Sequence, residues 1–104
     1  MSVIPPGWIN PITSPPGEFQ IGVDPRGLLP SRLDLVKMRL EFQRGLLLAG
    51  VARFTPIRVT SAGVIVDGHH AVRASAEEGR VIEVLVASEL VAARSDSILN
   101  LPVR

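Results

Sequence analysis

The sequence predicts a small α+β domain with a mixed sheet, short helices and a Pro/Gly-rich N-terminal arm. Its 104 residues suit one domain, and 46% hydrophobic residues are enough to build a core. Seven of the nine prolines lie in the first thirty residues, which excludes a long helix there. The segments that follow read as helix, strand, strand, helix and strand. We therefore expect an extended arm over residues 1–30 and an α+β domain over residues 31–104.

Composition excludes several classes of function. The formal net charge is only +1, so an anion site would have to be local. The absence of cysteine excludes disulfides, zinc–thiolate sites and a catalytic thiol. The apolar runs are too short to span a bilayer, and the first ten residues lack the pattern of a secretory signal. Aromatic residues make up 4%, which gives little support to a surface that stacks single-stranded nucleic acid.

The arm contains one segment with strand character, "EFQIGV" at residues 18–23. Its apolar side chains are numerous enough to pack on a core, and the segment is not of low complexity. Trp8 in this arm, and Phe54 further on, are interpreted as core anchors rather than as base-stacking platforms.

A helix is predicted from Ser31, with Ser31 as its cap and Asp34 near the positive end of its dipole. Gly45 or Gly50 is expected to end it. The basic side chains of this helix are interpreted as a solvated face rather than as phosphate ligands. Apolar residues spaced three and four apart predict a broad buried stripe made of Leu33, Leu35, Val36, Met38, Leu40 and Phe42.

Two short β-branched runs follow at residues 55–60 and 63–68, and predict a hairpin or two sequential strands. A short helix from His69, ended by Gly79, comes next. The valine-rich run at residues 81–88 predicts a strand buried on both faces. A last helix is conceivable over residues 89–94.

The candidate site lies where the second strand runs through Gly68 into the helix that begins at His69. A helix start after a strand offers unpaired N–H groups and the positive end of the dipole, which together favour an anion. His69, His70 and Arg73 lie in the first turn and a half, and Arg73 is three or four residues from each histidine. These groups predict a phosphate cradle, in which a histidine could also transfer a proton near neutral pH.

Asp67 precedes the glycine, and three roles remain open for it: orienting an imidazole, holding a divalent cation such as Mg²⁺, or capping the helix. A transition-metal site at His69 and His70 is disfavoured, because adjacent helical residues point about 100° apart and no third His or Cys exists. Arg73 has an alternative as well, a solvated pair with Glu77 one turn on.

The stretch "TPIRVTSAGVIVDGHHAVRASAEEGRVIEVLV", with its preceding helix, resembles the ParB/sulfiredoxin superfamily over about residues 31–88. The shared pattern is Pro-Ile, a strand, a short turn, a strand ending in glycine, a polar helix start, an Ala-rich helix, a glycine and a Val-rich strand. The resemblance implies a small α+β fold whose glycine-initiated helix binds the phosphates of a nucleotide or nucleic acid.

Residue by residue, the resemblance places Gly68 and the following helix start on the family's phosphate-binding motif. His69 stands where sulfiredoxins keep their catalytic cysteine, which excludes that reaction here. His70 matches a second polar position, and Arg73 matches an arginine of some partition proteins. Ala71 stands where most relatives keep an arginine, a departure that argues against nucleotide hydrolysis by the family's usual chemistry and favours an interaction domain with a vestigial site.

The variant "DGHHAVRASAEEG" is also similar to C-terminal toxin modules of bacterial Rhs and related polymorphic secreted proteins. This likeness implies an antibacterial nuclease or phosphotransferase that is delivered as part of a larger protein, acts in the cytoplasm and has a cognate immunity protein. His69, His70 and Asp67 would then be catalytic, and Gly68, His69, His70 and Arg73 would bind phosphate, with Mg²⁺ or a nucleoside triphosphate as cofactor. The alternatives are a non-catalytic nucleotide- or DNA-binding module and an interaction domain with a vestigial site.

Overall fold

The α+β class and the mixed sheet are confirmed by a computed structural model, which describes residues 12–51, 55–94 and 96–104. Trp8 and Phe54, the predicted core anchors, lie outside these residues. Four strands form one sheet in the order β1-β4-β2-β3; α2 packs on this sheet, and α1 packs against α2. The elements are β1 Phe19–Val23, α1 Lys37–Ala49, β2 Ile57–Thr60, β3 Ile65–Asp67, α2 His69–Glu77 and β4 Ile82–Ala87, with short 3₁₀ helices at Pro25–Gly27 and Ile98–Asn100.

The predicted hairpin is confirmed, since β2 and β3 pair antiparallel across a tight turn. β4 then returns parallel to β2, with Ile57 opposite Val84 and Val59 opposite Val86. The strand predicted in the arm is confirmed as β1, which pairs antiparallel with the far side of β4. Part of the arm therefore belongs to the sheet, and its Val23 lies in the core.

One face of the sheet carries the core. Val59 and Ile65 from the hairpin and Val84 from β4 are fully buried beneath α2. Small side chains on α2, Ala71 and Ala76 among them, let the helix lie close to the strands. The prediction that β4 is buried on both faces holds only in part, because Glu83 is exposed and Leu85 is half-buried.

The first helix begins five residues later than predicted, with Val36 rather than Ser31 as the N-cap of α1. Residues 31–36 are not helical and bend at Arg32 and Leu33. The cause is tertiary hydrogen bonding with the C-terminal segment, in which Leu35 forms a parallel bridge with Val103. Leu35 N–H donates to Pro102 O at 2.9 Å and Leu35 O accepts from Arg104 N–H at 2.8 Å, while Lys37 N–H donates to Arg104 O at 2.7 Å. The C-terminal prediction is confirmed for Gly50, which adopts φ +68°, while Gly45 lies inside the helix.

The predicted apolar stripe of this helix is wrong for most of its members. Leu35 and Leu40 are fully buried, whereas Met38 is 80% and Phe42 64% exposed. Leu33 and Val36 are exposed too, because both precede the helix and therefore do not follow its spacing. α1 therefore presents an apolar row to solvent.

The helix considered for residues 89–94 is absent, since residues 88–94 have no regular structure. Arg94 N–H donates to Pro30 O at 2.8 Å instead of to a carbonyl one helical turn earlier. Within the described residues, no helix has the length and apolar character needed to cross a bilayer.

Candidate functional site

Gly68 makes the turn from β3 into α2 that the site requires. It is the N-cap of α2 and adopts φ +95°, a conformation that favours glycine. A Cβ built on Gly68 would lie 3.1 Å from Ile57 Cγ1 and 3.3 Å from Ile57 Cα. A side chain at this position would therefore press on β2 and require Ile57 to shift by a few tenths of an ångström, so close packing as well as conformation favours glycine.

The start of α2 is not capped by a side chain. The hydrogen bond from Val72 N–H to Gly68 O, 2.9 Å long, is the first of the helix. The amides of His69, His70 and Ala71 precede it and have no acceptor within the helix. The predicted cap role of Asp67 is wrong, because Gly68 occupies that position.

His69 is buried and binds the non-helical segment, residues 31–36, that precedes α1. Ser31 N–H donates to His69 Nε2 at 3.0 Å, and the Ser31 hydroxyl donates to Ile65 O at 2.7 Å. Since the hydroxyl proton is used on Ile65, its approach of 3.3 Å to the same ring nitrogen is a contact rather than a second donated bond. Burial, with the neighbouring charge of Arg32 acting in the same direction, lowers the pKa of His69 to about 4.

His70 also accepts a backbone N–H from this segment, at its last residue. Val36 N–H donates to His70 Nε2 at 2.9 Å, so this nitrogen carries no proton. The proton of the neutral ring is then on Nδ1. Burial lowers the pKa of His70 as well, and the charges of Arg32 and Arg39 act in the same direction. Both imidazoles are neutral at pH 7, and both tie residues 31–36 to α2.

Arg73 faces away from the start of the helix. Its Nη1 donates to Ile98 O and Leu101 O, each at 3.1 Å, and its Nε donates to Glu77 at 3.0 Å. The alternative pair with Glu77 is thus present; the Arg73 side chain is 14% exposed, and Glu77 remains partly open to solvent. Arg73 anchors the C-terminal segment to α2 in this structure.

Asp67 lies on the open face of the sheet, where its carboxylate accepts a 2.8 Å bond from Arg58 Nε. Arg58 also pairs with Glu89. A Mg²⁺ ion does not fit this donor set, because the one carboxylate next to Gly68 is held by a guanidinium. Across residues 12–51, 55–94 and 96–104, no three His, Asp or Glu side chains come together as a metal site.

A groove of about 470 Å³ opens at the start of α2, between that helix and α1. Gly68, His70 and Ala71 form one wall, and Arg39 lies on the opposite wall. Of the predicted site residues, the groove thus brings together Gly68 and His70, whereas Asp67, His69 and Arg73 do not line it. Its complete described lining is Met38, Arg39, Phe42, Gln43, Thr55, Gly68, His70 and Ala71.

Arg39 is the functional candidate that sequence reasoning missed. Among the described residues its guanidinium has no carboxylate within ion-pair distance, unlike Arg44, which pairs with Glu77 at 2.6 Å. The available signal was the spacing of Arg39 and Gln43, which puts two polar side chains in one row of α1. The sequence could not show that this row faces the start of α2.

Two other grooves have less suitable charge for an anion. One of about 530 Å³, at the carboxyl ends of β2 and β4, has Glu89 as the charged residue of its described lining. The other, of about 610 Å³, sets Arg80 beside Glu83. The groove at the start of α2 carries a positive group together with unpaired amides, so it is the better candidate for an anionic ligand.

Comparison of the chain with known protein families, with curated proteins and with solved structures found no match. The likeness to ParB and sulfiredoxin proteins, and to Rhs toxin modules, stays a prediction from the sequence pattern.

Proposed function

We propose that this chain is a ParB-like domain that binds a phosphate-bearing ligand, a nucleotide or a nucleic acid, in the groove at the start of α2. The observation that carries the proposal is the meeting of the uncapped N-terminus of α2 with the Arg39 side chain across one groove. Backbone amides and a guanidinium are the donors that proteins use for phosphate oxygens.

The hydrogen bonds and protonation of the two histidines support ligand binding rather than catalysis. Each uses Nε2 to accept a backbone N–H, and each is neutral at pH 7. A neutral ring whose Nε2 is occupied cannot remove a proton, but the Nδ1–H of His70 can donate to a ligand oxygen. His70 is therefore assigned the role of a hydrogen-bond donor at the groove wall.

Cleavage or transfer at phosphorus, in an antibacterial toxin module, is the second candidate. It is favoured by the position of the His70 ring beside the amides where charge would develop on a phosphate oxygen. In this reaction the bond from Val36 N–H to His70 would have to open before the ring could act as a base.

Calorimetric titration with inorganic triphosphate tests the binding proposal. Arg39→Ala should weaken binding about five- to twenty-fold, because a charge-assisted hydrogen bond is lost. Lys37→Ala is the matched control: it removes the same charge from the same helix, and Lys37 does not line the groove. Equal loss in both variants would indicate non-specific charge attraction, and no binding by the wild type would refute the proposal.

The two candidates separate when wild type, His69→Ala and His70→Ala are expressed in bacteria and purified. Growth arrest by the wild type that His70→Ala abolishes, together with cleavage of DNA, RNA or nucleoside triphosphates, would support the enzyme. Ligand binding without growth arrest or product would support the binding module.

A further inference from the structure

Both histidines of the chain hold the same stretch of backbone. Ser31 N–H donates to His69 Nε2 at 3.0 Å, and Val36 N–H donates to His70 Nε2 at 2.9 Å. Among the described residues, every hydrogen bond between residues 31–36 and α2 ends on one of these two rings. The attachment of this stretch to α2 therefore depends on two groups that can take up a proton.

Residues 31–36 pair in turn with residues 102–104, and we call the two stretches together the latch. Two backbone hydrogen bonds of 2.9 and 2.8 Å join Leu35 to the second stretch, and Lys37 N–H donates to Arg104 O at 2.7 Å. The side chain of Leu35 is fully buried in the core, so its burial keeps the latch closed while both rings are neutral.

A proton on either ring breaks the bond between that ring and the latch. A neutral imidazole accepts a hydrogen bond at Nε2, whereas an imidazolium carries N–H on both nitrogens and has no acceptor. The new ring N–H would point at the backbone N–H of Ser31 or Val36, so that two donors face each other. Both donors find acceptors again when the latch moves away and water enters.

The surroundings of the rings oppose protonation for as long as the latch is closed. Burial lowers the pKa of both histidines, and the charge of Arg32 acts on both rings in the same direction. Arg39 adds to this effect at His70, and the His70 ring itself adds to it at His69. Asp67 favours the proton on His69 but has the smallest influence of these groups. Opening the latch removes the burial, so the open state binds protons at a higher pH than the closed state.

From this arrangement we propose that the latch is operated by acid: protonation of His69 and His70 releases residues 31–36 and 102–104 from α2, while the sheet and α2 stay folded. The two protons act together, because freeing one ring loosens the backbone that covers the other. The sheet and α2 keep a core of their own, which is formed by the fully buried side chains Val59, Ile65, Val72 and Val84.

Amide hydrogen exchange followed by NMR measures the opening of the latch in the wild-type chain. The amides of Leu35 and Arg104 report on the latch, and those of Thr60 and Val86, which donate to carbonyls of the sheet region, report on the rest of the fold. After correction for the intrinsic effect of pH on exchange, the opening constant of the latch should rise by up to about 100-fold per pH unit as the pH falls from 6 to 5. The factor follows from two protons taken up on opening.

The sheet amides distinguish a local opening from unfolding of the whole chain. Thr60 and Val86 should stay at least about ten-fold better protected than Leu35 and Arg104 at every pH. Low concentrations of urea should speed exchange at Thr60 and Val86 and hardly change it in the latch, because opening the latch exposes little surface.

Three variants assign the pH dependence to the rings. His69→Gln/His70→Gln keeps an acceptor at both positions without titrating and should remove the dependence. His70→Gln alone should reduce it to about 10-fold per pH unit, the factor for one proton. Asp34→Asn is the matched control, since Asp34 is a titratable group of the latch that pairs with Arg104 at 2.9 Å, and it should leave the two-proton dependence in place.

Equal opening constants for the latch and the sheet amides would show unfolding of the whole chain and overturn the proposal. An unchanged pH dependence in His70→Gln would overturn the assignment to the rings, and this comparison with the wild type stands even if the double variant does not fold. None of these measurements uses a ligand, so their outcome is separate from that of the proposed function.

Discussion

At the residue scale, His69 and His70 are placed by the hydrogen bonds they accept. Each ring accepts one backbone N–H from residues 31–36, a non-helical segment that would otherwise leave these two donors unpaired. Their position beside each other was visible in the sequence, and so was the glycine before them. Their partners, Ser31 and Val36, are more than thirty residues away, which no local pattern can reveal.

The lowered pKa of His69 makes stability depend on pH. The unfolded chain takes up a proton near pH 6.5, and the folded chain does so only near pH 4. Within this window the unfolded state binds more protons, so the free energy of unfolding falls as the pH drops. His69 alone should account for a loss of about 3 kcal/mol between pH 7.5 and pH 4.

Urea unfolding of wild type and His69→Gln at both pH values measures this contribution. A glutamine side-chain oxygen can accept the Ser31 N–H without titrating. Between pH 7.5 and pH 4, the free energy of unfolding of the variant should fall by about 3 kcal/mol less than that of the wild type. The contribution of carboxylates such as Glu77 is the same in both proteins and cancels in this comparison. The same pH dependence in both proteins would contradict a buried, neutral His69.

Gly68 predicts a second residue-scale result, with Gly17 as its control. Both residues have a positive φ, +95° and +90°, but a Cβ at Gly17 would have no atom within 4 Å. Gly17→Ala should therefore cost about 1 kcal/mol, for its conformation alone. Gly68→Ala should cost about 2 kcal/mol more, because the new methyl group must displace Ile57.

Thermal and urea unfolding of the two glycine variants give the comparison. If Gly68→Ala is no more destabilising than Gly17→Ala, β2 does not press against the turn as described.

At the scale of elements, the sequence pattern predicted those helices and strands whose formation depends on neighbouring residues. The hairpin, α2 and β4 were recognisable because alternating β-branched runs and glycine stops act over a few residues. The start of α1 was not, since capping by Ser31 competes with its bonds to His69 and Ile65. The exposed stripe of α1 had the period of a buried helix face and gave no sign that a groove lies against it.

Arg73 provides the test at this scale, since it joins α2 to the C-terminal segment. Lysine cannot reproduce its bonds to Ile98 O, Leu101 O and Glu77, so Arg73→Lys should destabilise the fold by about 1–3 kcal/mol. The exposed Arg80, changed in the same way, should have almost no effect.

Arg73 also separates anchoring from phosphate binding. The affinity of folded Arg73→Lys for triphosphate should equal that of the wild type, because Arg73 does not line the groove. If the fully folded variant binds triphosphate more weakly than the wild type, Arg73 contributes to phosphate binding after all.

At the scale of the molecule, the fold places α2 between the sheet, α1 and the C-terminal segment. α2 packs on the sheet, against α1 and against the C-terminal segment, and its N-terminus opens into the groove. The sequence predicted the α+β class and the turn at Gly68 into α2, because both follow from the order of elements around that glycine. It could not predict which side chains of α1 face the candidate site, because that depends on how the two helices meet.

The measurement that tests the central claim most directly is a ¹⁵N-resolved NMR titration of the wild type with ATP. The account predicts that the largest shifts fall on the amides of His69, His70 and Ala71, and on the side-chain Nε–H of Arg39. Shifts confined to Arg73 and the C-terminal segment, or no saturable shift at the start of α2, would contradict it.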